Sequence, residues 1–280
     1  MTAQCAMAVS RFFGADLAWS EGRDGRSPNE SGVAVLDLAG RVLDVGWTRG
    51  IAETAEWIES RAGTESALLF VDAPLVVSNA TGQRFCETQV GQRYGRWKVS
   101  ANTTNKCSSR LAGMALRRRL EDAGWCYSDG FAGPPTDGQV SSECYPYTTL
   151  VGAVELGYDV ERPRYKRKPR SLPTAEWRPM RAVNCDELIR RLVRLEKADP
   201  PLLLGSHPIT QELVEEPSPI DDELLYKHRE DLIDALLCAW TATLWARHGL
   251  TWCQVLGQQD SGPSGPYATI VAPARPEQRR

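Results

Sequence analysis

Apolar and polar positions in this chain follow two periods, and the switches between them outline an α/β protein. From Ser10 to Trp19 the chain is short and mainly apolar, which predicts a strand. Phe13, Ala15, Leu17 and Trp19 fall on one face of it, and Gly14, Asp16 and Ala18 on the other. Residues 21–31 are rich in Gly, Ser, Arg and Asn and read as a loop. Runs at 33–38 and 41–47 meet at Ala39-Gly40, a hairpin signature. Ile51, Ala55, Ile58 and Ala62 recur at helical spacing. Residues 67–71 are apolar throughout and stop at Asp72-Ala73-Pro74, as a strand buried in a parallel sheet does. A right-handed crossover through the intervening helix places this strand beside the first.

The second half alternates in the same way. Residues 76–105 are polar and read as a long functional loop without a packed element. A helix is predicted over 110–122, with Leu111, Met114, Ala115 and Leu120 as its core face. A short strand follows at 139–144, and Tyr145-Pro146 opens a helix to about Leu156, with proline in its first turn. Residues 162–181 are basic, Pro-rich and predicted to be irregular. A helix over 184–198 takes Asn184 as N-cap, with Glu187 three residues on. Residues 200–219 read as another Pro-containing connection. The helix predicted over 222–248 would span about 40 Å at 1.5 Å per residue. A final strand at 268–272 closes the sheet or adds an edge. The expectation is one domain over 1–280, with insertions at about 76–105 and 157–220.

Composition alters this picture little. The 280 residues are 42% hydrophobic and 25% charged, which suits a globular chain with a sizeable core. A net charge of −3 does not favour nucleic acid as partner, although a near-neutral total can hide a basic patch. No apolar run reaches the roughly 18 residues of a membrane span. The first residues lack a basic segment followed by a long apolar stretch, so no secretion signal is expected. Eight cysteines, from Cys5 to Cys253, form no CxxC pair, and there are only three histidines. Reduced thiols in a cytoplasmic protein are the expected state, with no zinc site.

The chemistry lies in acids where acids are out of place. Asp16 interrupts an apolar strand between small neighbours that leave room for an approaching group. Asp72 ends the buried strand, at the carboxyl edge where open α/β sheets hold ligands. Asp234 sits in LIDALLCAWTATLWA, where a carboxylate is costly unless a cation or hydrogen bonds neutralise it. Asp231 shares its helix face, with Ala235 and Cys238 nearby, so a helix of small residues can meet the sheet at close range. Glu143 ends another strand at a strand-to-helix junction. Singly, each acid has a structural explanation as a cap, an Asx-turn or an ion-pair partner. Gathered together they repel unless cations intervene, and hard oxygen ligands select Mg²⁺ or Mn²⁺. Two such ions about 4 Å apart activate water and stabilise the leaving oxygen in phosphodiester cleavage.

Six segments carry a resemblance: GADLAWS at 14–20, FVDAPL at 70–75, NATGQRFCE at 79–87, ECYPYTTL at 143–150, RYKRKPR at 164–170 and KHREDLIDALLCAWTA at 227–242. In this order they resemble the DUF429 family, described as predicted ribonuclease H-like nucleases. The resemblance implies a ribonuclease H-like fold, a mixed five-stranded sheet in order 3-2-1-4-5 with strand 2 antiparallel. It implies catalytic acids at Asp16, Asp72, Glu143 and Asp234, with Asp231 joining Asp16, Asp72 and Asp234 as metal ligands.

Secondary signals point to the substrate. Eight cations lie between Arg162 and Arg181, a pattern suited to phosphate contacts or to a solvated loop, and Lys166 is favoured as a contact. Asn79 and Arg84 follow Asp72 on a polar loop and are candidates to orient substrate or meet a phosphate. His228, one turn before Asp231, is a candidate proton shuttle or a packing histidine. The expected function is a divalent-metal-dependent nuclease. The alternatives are a non-catalytic nucleic-acid-binding module and, less favoured, an actin-like phosphotransferase or ATPase. The last needs a Gly-rich phosphate loop after the first acid, and Asp16 is followed by Leu17-Ala18-Trp19.

Overall fold

The computed structural model describes residues 9–18, 28–109, 111–169, 171–258 and 266–279. Trp19, Cys5, Arg110, Arg170 and most of the 21–31 loop lie outside the described residues. The chain opens with β1 (Arg11–Asp16), β2 (Glu30–Asp37), β3 (Val42–Arg49), α1 (Gly50–Ala62) and β4 (Ala67–Val71). Then come α2 (Phe85–Tyr94), α3 (Ala112–Asp122), β5 (Cys126–Tyr127), β6 (Gln139–Glu143) and α4 (Pro146–Gly152). It ends with α5 (Thr174–Arg194), α6 (Pro208–Glu215), α7 (Glu223–His248), β7 (Cys253–Leu256) and β8 (Ile270–Pro273). No helix among the described residues is long and apolar enough to cross a membrane.

The main sheet has six strands in the order β3-β2-β1-β4-β6-β5. β2 is antiparallel to both its neighbours, β1 and β3, whereas β1, β4, β6 and β5 run parallel. This corrects the expected five strands in order 3-2-1-4-5. The first four places agree, but the two-residue β5 takes the outer edge; it is too short to leave a periodic signal. The final strand does not join this sheet either: β8 pairs with β7 in a separate two-stranded ribbon.

Strand alternation sends side chains into two cores. Phe13, Ala15, Val33, Val35, Leu69 and Val71 meet α1 and α3 on one face. Phe12, Ala34, Leu68 and Phe70 meet α7 and its neighbours on the other. On that second face α7 lies at backbone contact with the sheet. A Cβ at Gly14 would stand 2.0 Å from the Ala235 carbonyl oxygen and 2.3 Å from the Ala239 nitrogen. A Cβ at Gly32 would stand 2.2 Å from the Asp231 carbonyl oxygen.

Three helical segments replace expected loops. α2 occupies part of 76–105; its apolar face is a single row, Cys86, Val90 and Tyr94, easily lost among polar neighbours. α5 begins at Thr174, inside the stretch expected to be irregular, and carries Pro179 within it. Trp177, Ala182, Cys185, Leu188, Ile189 and Leu192 are buried along it, and that packing overrides the proline. Asn184 is therefore not an N-cap: it lies mid-helix and its Nδ2 donates to the Met180 carbonyl at 2.7 Å. α6 interrupts the connection at 200–219, started by Pro208 and capped by the His207 side chain.

Gly14→Ala is expected to destabilise the protein by about 2–3 kcal/mol, because the new methyl meets the α7 backbone and the Cys238 Cβ, none of which can swing aside. The check is the midpoint of urea unfolding, with the surface change Gly46→Ala, which meets nothing within 4 Å, as control.

Candidate metal centre

Register brings the first two acids together. Ala15 pairs with Val71 across the parallel β1–β4 ladder, and the Asp72 N–H donates to the Ala15 carbonyl at 2.8 Å. Asp16 and Asp72 therefore leave adjacent strand ends. The third acid arrives on α7, which the missing side chains of Gly14 and Gly32 let down onto the sheet. One carboxylate oxygen from each of Asp16, Asp72 and Asp234 lies within 4.8 Å of the others. Asp231, one turn earlier, lies over Gly32, the cross-strand partner of Asp16.

Two lysines balance part of this charge. Asp234 is wholly buried; its Oδ1 accepts from the Tyr165 hydroxyl at 2.5 Å and its Oδ2 pairs with Lys166 Nζ. Lys227 Nζ binds Asp231 Oδ1 and, at 3.0 Å, Glu230 Oε1. Asp231 Oδ2 is buried without a hydrogen-bond partner. Burial, reinforced by the charge of Asp16, pushes the Asp72 and Asp231 carboxyls up to about 8. Burial disfavours the Lys166 ammonium, but Asp16 and Glu230 outweigh it and hold that ammonium above the ordinary lysine range. An all-carboxylate donor set from three elements, short of positive charge, fits a hard divalent ion such as Mg²⁺ or Mn²⁺.

The acids open into a cleft of about 750 Å³. Asp16 and Asp72 line it together with Arg162, Lys166, Arg167 and Lys227. Ser100, Asn102, Thr103, Thr104, Ser108 and Ser109 add hydroxyl and amide groups. Tyr145 and Tyr147 add ring surface, and the Arg162 guanidinium lies 4.2 Å from the centre of the Tyr147 ring.

The other candidates fall elsewhere. Glu143 does not join the cluster. Its register partner is Val71, whose side chain enters the α1–α3 core, so strand alternation turns it from the α7 face. Both its oxygens are taken, by Arg84 at 2.6 and 2.8 Å and by the Leu75 N–H at 3.0 Å. Arg84 is correspondingly not a surface phosphate contact: it is buried and also binds Glu87 Oε1 at 2.8 Å. Asn79 is spent on its own loop, donating to the carbonyls of Thr81, Gly82 and Thr104. His228 faces Glu30 at 2.5 Å and packs against Trp47, and it does not line the cleft. Lys166 reaches the cleft, but as the partner of Asp234. Sequence reasoning missed Tyr165, Lys227 and the Ser/Thr wall. Lys227 was findable, since it stands four residues before Asp231 on one helix face. The wall was not, because its residues look like any polar loop.

A family model described as "Protein of unknown function (DUF429)" matches residues 22–255. The matched stretch contains Asp72, Glu143, Asp231 and Asp234 and begins after Asp16. No curated protein and no solved structure matches the chain.

Two outcomes follow from these charges. Arg84→Met leaves Glu87 and Glu143 buried without their cation and is expected to cost about 3–5 kcal/mol, read as a lower urea midpoint. The second concerns pH. Asp72 and Asp231 hold protons more tightly folded than unfolded, so without a divalent ion their contribution favours folding at low pH and is lost as pH rises toward about 8. Mn²⁺ is expected to raise the melting temperature more at pH 8.5 than at pH 6, and an equal rise at both would contradict this.

Proposed function

We propose that this chain, which belongs to the DUF429 family, is a divalent-metal-dependent phosphodiesterase that cuts nucleic acid on a ribonuclease H-like fold. The observation that carries the reading is the convergence of Asp16, Asp72 and Asp234 in a cleft rimmed by Arg162, Arg167 and Lys227. Acids from a central strand, its parallel neighbour and a long helix suit a metal centre, and the cations beside them suit a phosphate backbone. The sheet, an antiparallel hairpin followed by parallel strands, supports the ribonuclease H-like assignment.

Asp16, Asp72 and Asp234 would hold Mg²⁺ or Mn²⁺. When bound, the ion supplies an activated water and charge stabilisation for the leaving oxygen. The chain's own groups do the rest. Tyr165 fixes the Asp234 carboxylate by donating to Oδ1. Arg162 and Arg167 attract the phosphates, and the Ser100–Thr104 wall offers hydrogen bonds to sugar and base edges.

The pairing of Lys166 with Asp234 favours a second reading, a nucleic-acid-binding module without turnover, because the ammonium already neutralises one ligand. One assay separates the two. Purified protein with Mg²⁺ or Mn²⁺ is offered single-stranded, duplex and branched DNA and RNA. Cleavage is expected, and Asp16→Asn should slow it by on the order of a hundredfold or more, since even groups that only support metal ligands cost about 10–100-fold. Binding that survives Asp16→Asn and Asp234→Asn, with no cleavage by the wild type, would establish the module instead.

A further inference from the structure

We propose that Lys166 is a built-in cation that takes the place of a second metal ion, so that the centre holds one divalent ion. This rests on reading the cleft as a metal-dependent phosphodiesterase. Two-ion cleavage needs two positive centres about 4 Å apart among the carboxylates. The chain brings one of them itself: Lys166 Nζ contacts Asp234 Oδ2, within the cluster that Asp234 shares with Asp16 and Asp72.

The lysine is held there by construction. Tyr165, the preceding residue, is wholly buried, and its hydroxyl donates to the other oxygen of Asp234 at 2.5 Å. Its carbonyl accepts from the Tyr226 hydroxyl at 2.6 Å, and Tyr226 is on α7, the helix that carries Asp234. Helix and basic segment are thus tied at two points, and both Asp234 oxygens are served from consecutive residues. The Lys166 side chain is only 19% exposed. A second dication on Asp234 has to expel this ammonium or sit beside it, and like charges at such range in a partly buried site repel strongly. Asp234 Oδ2 makes no hydrogen bond and has the Lys166 ammonium as its ion-pair partner. Asp231 Oδ2 is buried and unpartnered, next to the strand position paired with Asp16. One dication among Asp16, Asp72 and Asp234, with the Lys166 ammonium on Asp234 Oδ2, neutralises these three carboxylates without a second ion.

The test is the number of Mn²⁺ ions bound by the purified full-length protein, counted by the loss of the free Mn²⁺ paramagnetic resonance signal and by calorimetry, with no substrate. One equivalent is expected for the wild type and for Lys166→Arg, which keeps the charge. Lys166→Met is expected to gain a second site, at least tenfold tighter than any second binding by the wild type. Two equivalents in the wild type would overturn the role of Lys166 while leaving the metal centre intact. No Mn²⁺ at all would overturn the metal centre itself and this inference with it. Unchanged stoichiometry and affinity in a folded Lys166→Met also counts against the proposal. If that variant does not fold, the wild-type and Lys166→Arg counts decide.

Discussion

The contact on which this molecule depends is backbone against backbone, where α7 rests on Gly14 and Gly32. A helix normally stands off a sheet by the thickness of two side-chain layers. Here one layer is missing, and Ala235, Cys238 and Ala239 supply the other with minimal bulk. The closeness is what makes the acidic cluster possible. An Asp side chain is short, so a carboxylate on a helix reaches those on strand ends only if the main chains nearly touch. The glycines therefore act on chemistry without bearing any functional group.

Closeness of acids creates the second constraint. Carboxylates drawn together in a buried site raise one another's proton affinity, and the fold tolerates them through Lys166 and Lys227. Both lysines flank the cluster on elements that also supply acids or their anchors. The Arg84–Glu87–Glu143 network nearby uses another solution: one guanidinium shared by two buried carboxylates, with the Leu75 N–H as a further donor. Burial raises Glu143 and Arg84 holds it back. This network pins the chain just after Asp72 through Leu75 and Val76, and its residues do not line the cleft.

What the sequence made legible was whatever depends on local periodicity or on a misplaced charge. The alternation around Asp16, the apolar run before Asp72 and the acid within the most hydrophobic helix all lead to residues that meet in space. The small residues beside Asp231 and Asp234 correctly anticipated close packing. The failures have a common cause in long-range packing. The single-row face of α2 and the proline in α5 carry weak local signals, and burial against distant elements decides both. Glu143 fails because strand-end proximity does not specify the face, and a buried Arg84 fifty-nine positions away claims it. The separate β7–β8 ribbon likewise arises from pairing that neither strand's own pattern reveals.

Tyr165 and Lys166 stand one peptide unit apart, the first locked in the core and the second aimed into the cleft. The reach of the ammonium is thus set by covalent length and by the hydroxyl that fixes Tyr165. Side-chain changes on either flank leave that ruler intact, whereas a residue inserted between anchor and charge changes its span. The basic segment around them serves the cleft by its charge, but at this one joint its length is fixed by the core.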